Sequence, residues 1–215
     1  MSSSLTERIP SMPKSSTMTV REATESRRAI RKYLQQPVPE EDVREILRQV
    51  SLAPSPNNIQ PWRFVVVRDP ALKKQLEPAI LNQRQVLSTH CLIVLYADME
   101  DVIATKAEIV HPGITGEARV KSLAGVTRDW DAQPVEERQK FAHGIAYIAL
   151  GYLLLAAESM GYKTSPMLGF KPAEVKSILG LPGHVTIPAI VALGLGDEPG
   201  FPHHRHAVDR IAQFR

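Results

Sequence analysis

His143-Gly-Ile-Ala-Tyr-Ile-Ala-Leu-Gly-Tyr-Leu-Leu-Leu-Ala-Ala157 is the stretch that decides the fold. It forms the middle of the longest helical segment, residues 134–160, which is entered through Glu136 and Glu137 and closed by Gly161 as a left-handed cap. A helix apolar on nearly every face must be buried on every face. The segment therefore reads as the central helix of the fold or of a dimer core. Its apolar run, residues 145–157, is interrupted by Gly151 and is too short to span a bilayer.

Outward from this helix the chain alternates helices with few strands. Residues 20–34 read as helical, and Pro37 and Pro39 then break the chain. A second helix starts near Pro39 with Glu40, Glu41 and Asp42 in its first turn. Its Val43, Ile46, Leu47 and Val50 recur at i, i+3, i+4, i+7, so one stripe faces a core. Phe64-Val-Val-Val67 reads as a buried strand, and residues 69–87 as a helical stretch disturbed at Pro78. A second buried strand covers residues 91–97, a short helix residues 172–179, and a further strand residues 186–193. For residues 99–131, with His111-Pro-Gly113, Gly116 and Gly125, a helical excursion and a mobile flap both fit. Few strands serving many helices argue α+β: a small mixed or antiparallel sheet surrounded by helices.

Composition bounds the function. A formal charge of +3, with basic residues spread along the chain, is too weak to argue for nucleic-acid binding. The single cysteine, Cys91, excludes a disulfide framework and a cysteine-based metal site within one chain, and it reads as a buried core thiol. Residues 1–19 are rich in Ser, Thr and Pro and lack an apolar segment, so they read as a disordered tail and not as a signal peptide or membrane anchor. Residues 20–215 then form one domain, expected to be cytoplasmic.

Two segments carry chemistry. Ala53-Pro-Ser-Pro-Asn-Asn-Ile-Gln-Pro-Trp62 combines three prolines with amide side chains that suit the polar edge of a flat heterocycle, or that simply satisfy turns. Arg27-Arg28-Ala29-Ile30-Arg31 offers planar forks matched to phosphate. On a helix, Arg27 and Arg31 would share one face, where they repel unless an anion lies between them; the alternative is a solvated basic face.

Taken together, Ser26-Arg-Arg-Ala-Ile-Arg-Lys-Tyr-Leu-Gln-Gln-Pro-Val-Pro39 and Ala53-Pro-Ser-Pro-Asn-Asn-Ile-Gln-Pro-Trp-Arg-Phe64 resemble the N-terminal signature of the nitroreductase family. Leu81-Asn-Gln-Arg-Gln85, then Gly161-Tyr-Lys-Thr-Ser-Pro-Met-Leu-Gly-Phe170 and Ile178-Leu-Gly-Leu-Pro182, extend the resemblance. It implies an intertwined α+β homodimer with FMN sites built from both subunits. Arg27, Arg28 and Arg31 would then hold the phosphate and ribityl chain. At Ala29, where relatives usually have Ser, only backbone remains. Asn82 would meet the flavin O2/N3 edge, with Gln85 replacing the Lys of some relatives. Pro54, Ser55, Pro56 and Asn58 would come from the second subunit, and Met167, Leu168 and Gly169 would approach N5. His203 and Arg205 would complete the phosphate site. His203, His204 and His206 make a poor metal set, so no metal is expected.

The resemblance also implies transient NADH or NADPH, hydride passed to N5, and ping-pong transfer to nitroaromatics, quinones or similar acceptors, with no catalytic side chain. Residues 98–133 are expected to form a lid over the acceptor. Trp130, Tyr96 and His111 are weighed as pocket-lining but read first as structural. A specialised reaction on the same cradle (dehalogenation, azoline oxidation or flavin fragmentation) and a non-enzymatic flavin-binding protein stay open as alternatives.

Overall fold

The computed structural model describes residues 18–215. The expected disordered tail falls, for residues 1–17, outside the described residues. Thr19, assigned to that tail, instead caps the first helix: its hydroxyl accepts from Glu22 N, and the Glu22 carboxylate accepts from Thr19 N in return.

Four strands form one antiparallel sheet in the order β1-β2-β4-β3: β1 Trp62–Val67, β2 Cys91–Ala97, β3 Lys163–Met167 and β4 Thr186–Gly194. Side chains alternate across β2. Cys91, Ile93, Leu95 and Ala97 enter one core, and Leu92 and Val94 enter the other. Helices α2 (Glu40–Val50) and α8 (Val135–Ser159) cover the first face. The second face is covered by α3 (Pro70–Leu76), the Pro78–Ile80 turn, α4 (Gln85–Ser88) and α9 (Pro172–Leu179). With helices on both faces, β2 and β4 read as continuous apolar runs. β3 is a strand that the sequence pattern does not announce. It carries Thr164, Ser165 and Pro166, and Pro166 is tolerated because β3 is an edge.

Several expectations are corrected. The helix expected over residues 20–34 stops after α1 (Val20–Ser26). From Arg27 the backbone is extended: Ile30 N donates to Thr164 O, Leu34 N to Leu195 O, and Ala29 bridges Thr164 in parallel. Sheet-edge pairing overrides local helix propensity there, so Arg27 and Arg31 do not share a helical face. Residues 69–87 do not make one helix, because Leu81 and Asn82 both adopt left-handed φ, at 55° and 53°. β1 is only half-buried, with Val66 exposed.

α8 is the central helix, covered within one chain on one face. Ala142, Ala146, Ala149, Leu153 and Ala157 are buried, but Phe141, Tyr147, Ile148 and Tyr152 stand 37–42% exposed along the opposite face. The helix has 25 residues and is long and apolar enough to cross a membrane. Here it is instead the core helix against which β2, β4 and α2 pack. Residues 99–131 take the helical alternative: α5 (Met99–Ala104), α6 (Lys106–Ile109), α7 (Gly116–Val126) and a π-helical turn, Thr127–Asp131. Arg138 anchors that turn. Its guanidinium donates to the Trp130, Asp131 and Gln133 carbonyls and pairs with Glu100 at 2.6 Å.

Leu153 is fully buried where α8 meets the sheet. Leu153→Ala is expected to lower the unfolding free energy by about 3 kcal/mol, read from urea denaturation.

Candidate functional site

The run of recognised residues starts where α1 ends. Arg28 Nη1 donates to the carbonyls of Glu25, Ser26 and Arg27 at 2.8, 2.9 and 3.0 Å, which locks the turn out of α1. The C-terminal segment folds back onto this turn. His203 Nε2 lies 2.8 Å from both Arg28 Nη1 and Arg27 O. Unprotonated, it accepts from the arginine; protonated, it donates to the carbonyl. Burial, and then the charges of Arg205 and Arg28, lower the Arg27 pKa, while the nearby Glu158 carboxylate opposes them. Glu158 is fully buried, pairs with Lys163 at 2.6 Å through one oxygen, and leaves the other without a hydrogen-bond partner. Arg27, Arg28 and Arg205 thus gather as a positive cluster, with His203 against Arg28.

Arg31 continues the run. Its N–H donates to Glu198 Oε1 at 2.6 Å, and Glu198 lies 3.9 Å from Arg84. Ser88, at the end of α4, donates to Arg31 O at 3.4 Å. The next stretch is the Asn82–Gln85 segment, with Asn82 exposed and Gln85 buried. Gln83 Nε2 donates to Gly169 O at 2.8 Å, which brings the Met167-Leu168-Gly169 turn against this segment. Met167 is buried and Leu168 is 64% exposed. From Arg27, Arg28 and His203 through Arg31 and Ser88 to Gln85, Gln83 and Gly169, these segments make one hydrogen-bonded run.

Pro54, Ser55, Pro56 and Asn58 are not in it. Their loop precedes Trp62, which pairs with Ala97, and Ala97 pairs with Thr186. The arginine segment sits at the other end of the sheet, where Ala29 bridges Thr164 and Cys91 pairs with Leu193. Seven residues of β2 separate the two ends by about 20 Å. The loop is held rigidly where it is. Ser55 Oγ accepts from Gln60 N at 2.9 Å, and Asn58 Nδ2 donates to Ile109 O at 3.0 Å. Among the described residues, the non-glycine left-handed residues are Asn57, Asn58, Gln60, Leu81 and Asn82. All five belong to the two recognised loops, and strain concentrated in this way marks functional segments.

Two cavities lie elsewhere. One of about 480 Å³ sits within the helical excursion against Val110, Ile114 and Arg119. Another, of about 550 Å³, lies beside Gln139, His143 and His184. Trp130 is buried and stacks on Phe141 at 4.5 Å, while His111 accepts from Gly113 N. Tyr96 is half-buried beside the second core. All three have structural contacts. The sequence reading missed Gln83, Arg84, Glu198 and Gly200. Only Gly200, between Pro199 and Pro202, carried a turn signal; the others matter through partners distant in the chain.

A family model described as the nitroreductase family matches residues 24–195. The chain belongs to the nitroreductase family. A Thermus thermophilus protein named NADH dehydrogenase is 48% identical over 88% of this chain and 92% of its own. YdgI of Bacillus subtilis, named as an NAD(P)H nitroreductase, is 28% identical over 90% of this chain and 96% of its own. A structure from Exiguobacterium sibiricum, solved in complex with FMN, superposes with a TM-score of 0.83 at 25% identity. That match covers 92% of this chain and 98% of the other. The nitroreductase fold thus accounts for the antiparallel sheet, the long α8 and both recognised loops.

Gly200 is the pivot that returns the tail to the arginines. Its φ is +70°, and an added Cβ would stand 2.8 Å from Arg28 Cβ and 2.9 Å from Ile30 Cδ1. Gly200→Ala is expected to lower the thermal midpoint by several degrees, from a cost of about 1–3 kcal/mol. Limited proteolysis should then cleave the tail beyond Gly200 faster than in the wild type.

Proposed function

We propose that this chain is an FMN-dependent NAD(P)H oxidoreductase working as a homodimer. The observation that carries the proposal is the cluster of Arg27, Arg28 and Arg205, joined through Arg31 and Ser88 to the strained, amide-bearing segment at Leu81–Gln85. The donor set fits FMN. Like charges gathered at Arg27, Arg28 and Arg205 favour an anion between them, and arginine forks match phosphate. Ala29 contributes backbone only. Arg31 lies between the phosphate end and Asn82 and Gln85, which orient the pyrimidine edge. The Leu168–Gly169 backbone faces the redox-active ring, and exposed Leu168 shields it from water. When bound, FMN supplies hydride acceptance at N5 from NADH or NADPH and ping-pong delivery to nitroaromatics, quinones or similar acceptors. The protein positions and shields, and no side chain serves as acid or base.

The homodimer follows from what one chain leaves undone. The Pro54–Asn58 loop is at the opposite end of β2 from the arginine segment of its own chain, about 20 Å away along the strand, so the loop of a second copy completes the phosphate end of the site. The exposed face of α8 supplies the contact: Phe141, Tyr147, Ile148 and Tyr152 form an apolar stripe. Phe201, Val208, Ile211 and Phe214 extend the apolar surface along the C-terminal arm. Residues 98–133 serve as the lid over the acceptor.

Purified protein should show flavin bands that bleach anaerobically with NADH or NADPH and return with a quinone. A colourless protein that takes up no added FMN would overturn the reading. Arg27→Ala is expected to weaken FMN binding about ten- to a hundredfold while leaving riboflavin affinity unchanged, measured by flavin fluorescence. Sedimentation should give a dimer for the wild type. Ile148→Glu should shift it toward monomer and reduce FMN uptake, because a charge enters the apolar stripe.

A further inference from the structure

Arg63 joins the loop at residues 54–60 to the helical excursion, and each end of the tie is anchored. It lies on β1, opposite Tyr96 of β2, so the sheet register fixes its backbone. Its Nη1 donates to Gln60 O and Trp62 O, both at 2.8 Å. Gln60 has a left-handed φ of 42°, so one carbonyl that Arg63 holds belongs to a strained residue of the loop. The other side of the guanidinium reaches α5. Nε and Nη2 donate to Asp101 Oδ2 at 2.8 and 2.5 Å. Asp101 stands in the first turn of α5, and its own N–H donates to Asp98, the residue that caps the helix. A second tie lies further on, where Asn58 Nδ2 donates to Ile109 O at the end of α6. Loop, α5 and α6 are thus bonded into one body.

We propose that Arg63 is a positioning residue that couples the loop to α5, so that filling the flavin site sets the position of the lid. On the FMN and dimer reading, on which this inference rests, the loop serves the site of a second copy. FMN held by one chain therefore acts on α5 of the other. The coupling is reciprocal: whatever orders α5 over the acceptor tightens FMN by the same factor.

Hydrogen exchange of the apoprotein, with and without added FMN, tests this coupling. FMN should slow exchange at residues 54–60 and, through Arg63, at residues 99–105 about five- to tenfold beyond any slowing at α2. α2 is the reference because a bound ligand stabilises the whole fold and slows exchange generally. Asp101→Leu cuts the tie on the α5 side and leaves Arg63 on Gln60 and Trp62. In this variant FMN should still slow the loop, while the effect at residues 99–105 falls to that at α2. Protection at residues 108–110 should remain, since Asn58 reaches Ile109 without Arg63. Asp101→Asn keeps an accepting oxygen but loses its charge, so it should retain part of the effect. It also serves as the test should the leucine variant fail to fold. Each protein is compared with itself, so simple loosening of α5 leaves the ratio unmoved.

Full protection of residues 99–105 in the folded Asp101 variants overturns the proposal. So does a wild type in which FMN slows the loop but not α5 relative to α2, a result that spares the FMN reading. FMN that binds and slows neither segment overturns the inference together with the place of the loop in the site, and leaves FMN as the cofactor. A wild type that takes up no FMN fails the reading itself, and the inference with it.

Discussion

Everything in this molecule hangs on a strand with no face to spare. β2 is paired on both edges and packed on both sides, with Ile93 and Leu95 against α8 and α2 and Leu92 and Val94 against the opposite layer. A one-residue slip would exchange the two sets and put every side chain in the wrong core, so register is tightly specified. Because β2 holds register, its ends are fixed points. One end fixes where Cys91 meets Leu193 and hence where the arginine segment can bridge Thr164. The other fixes Ala97 against Trp62 and so the loop that precedes Trp62. The arginine segment and the distant loop are two readouts of one rigid element.

That rigidity explains how left-handed asparagines, glutamine and leucine persist. Each costs on the order of 1 kcal/mol or more and survives only where the surroundings leave no choice. At Ser55–Gln60 the surroundings are short hydrogen bonds within the loop and to Ile109. At Leu81–Asn82 they are the Asn82 N–H on Glu77 O and the Gln83 amide on Ile80 and Gly169. The two loops hold their shape in the single chain, so partners meet surfaces already formed.

Much of the fold is legible in the residues. The i, i+3, i+4, i+7 stripe of α2, the β-branched and apolar run of β2, and the Gly161 cap each obey a local rule that the tertiary structure also obeys. The arginine segment fails as a helix because its backbone partner, Thr164, lies more than a hundred residues away, and no local pattern encodes that bond. β3 is hidden for the same reason: an edge strand with Pro166 has little hydrophobic alternation to show. α8 departs from expectation in a more instructive way. Its composition calls for burial on all sides, and a single chain covers only one. The proposed site residues come from family resemblance and not from any local rule. Gln83 and Glu198 are legible in neither way, because each works by reaching carbonyls or amides placed by other elements.

Arg28 is one side chain serving two masters. Its guanidinium closes the carbonyl end of α1 and meets His203 from the returning tail, while also standing in the cationic cluster. All three carbonyl contacts come from one nitrogen, Nη1, and a lysine ammonium that made them would have no second nitrogen to offer the cluster, as Nη2 and Nε do. At this position the fold of the turn and the charge of the cluster are therefore inseparable traits. A screen scoring only loss of colour would credit Arg28 to the ligand, although the damage would begin in the backbone turn that aims its neighbours.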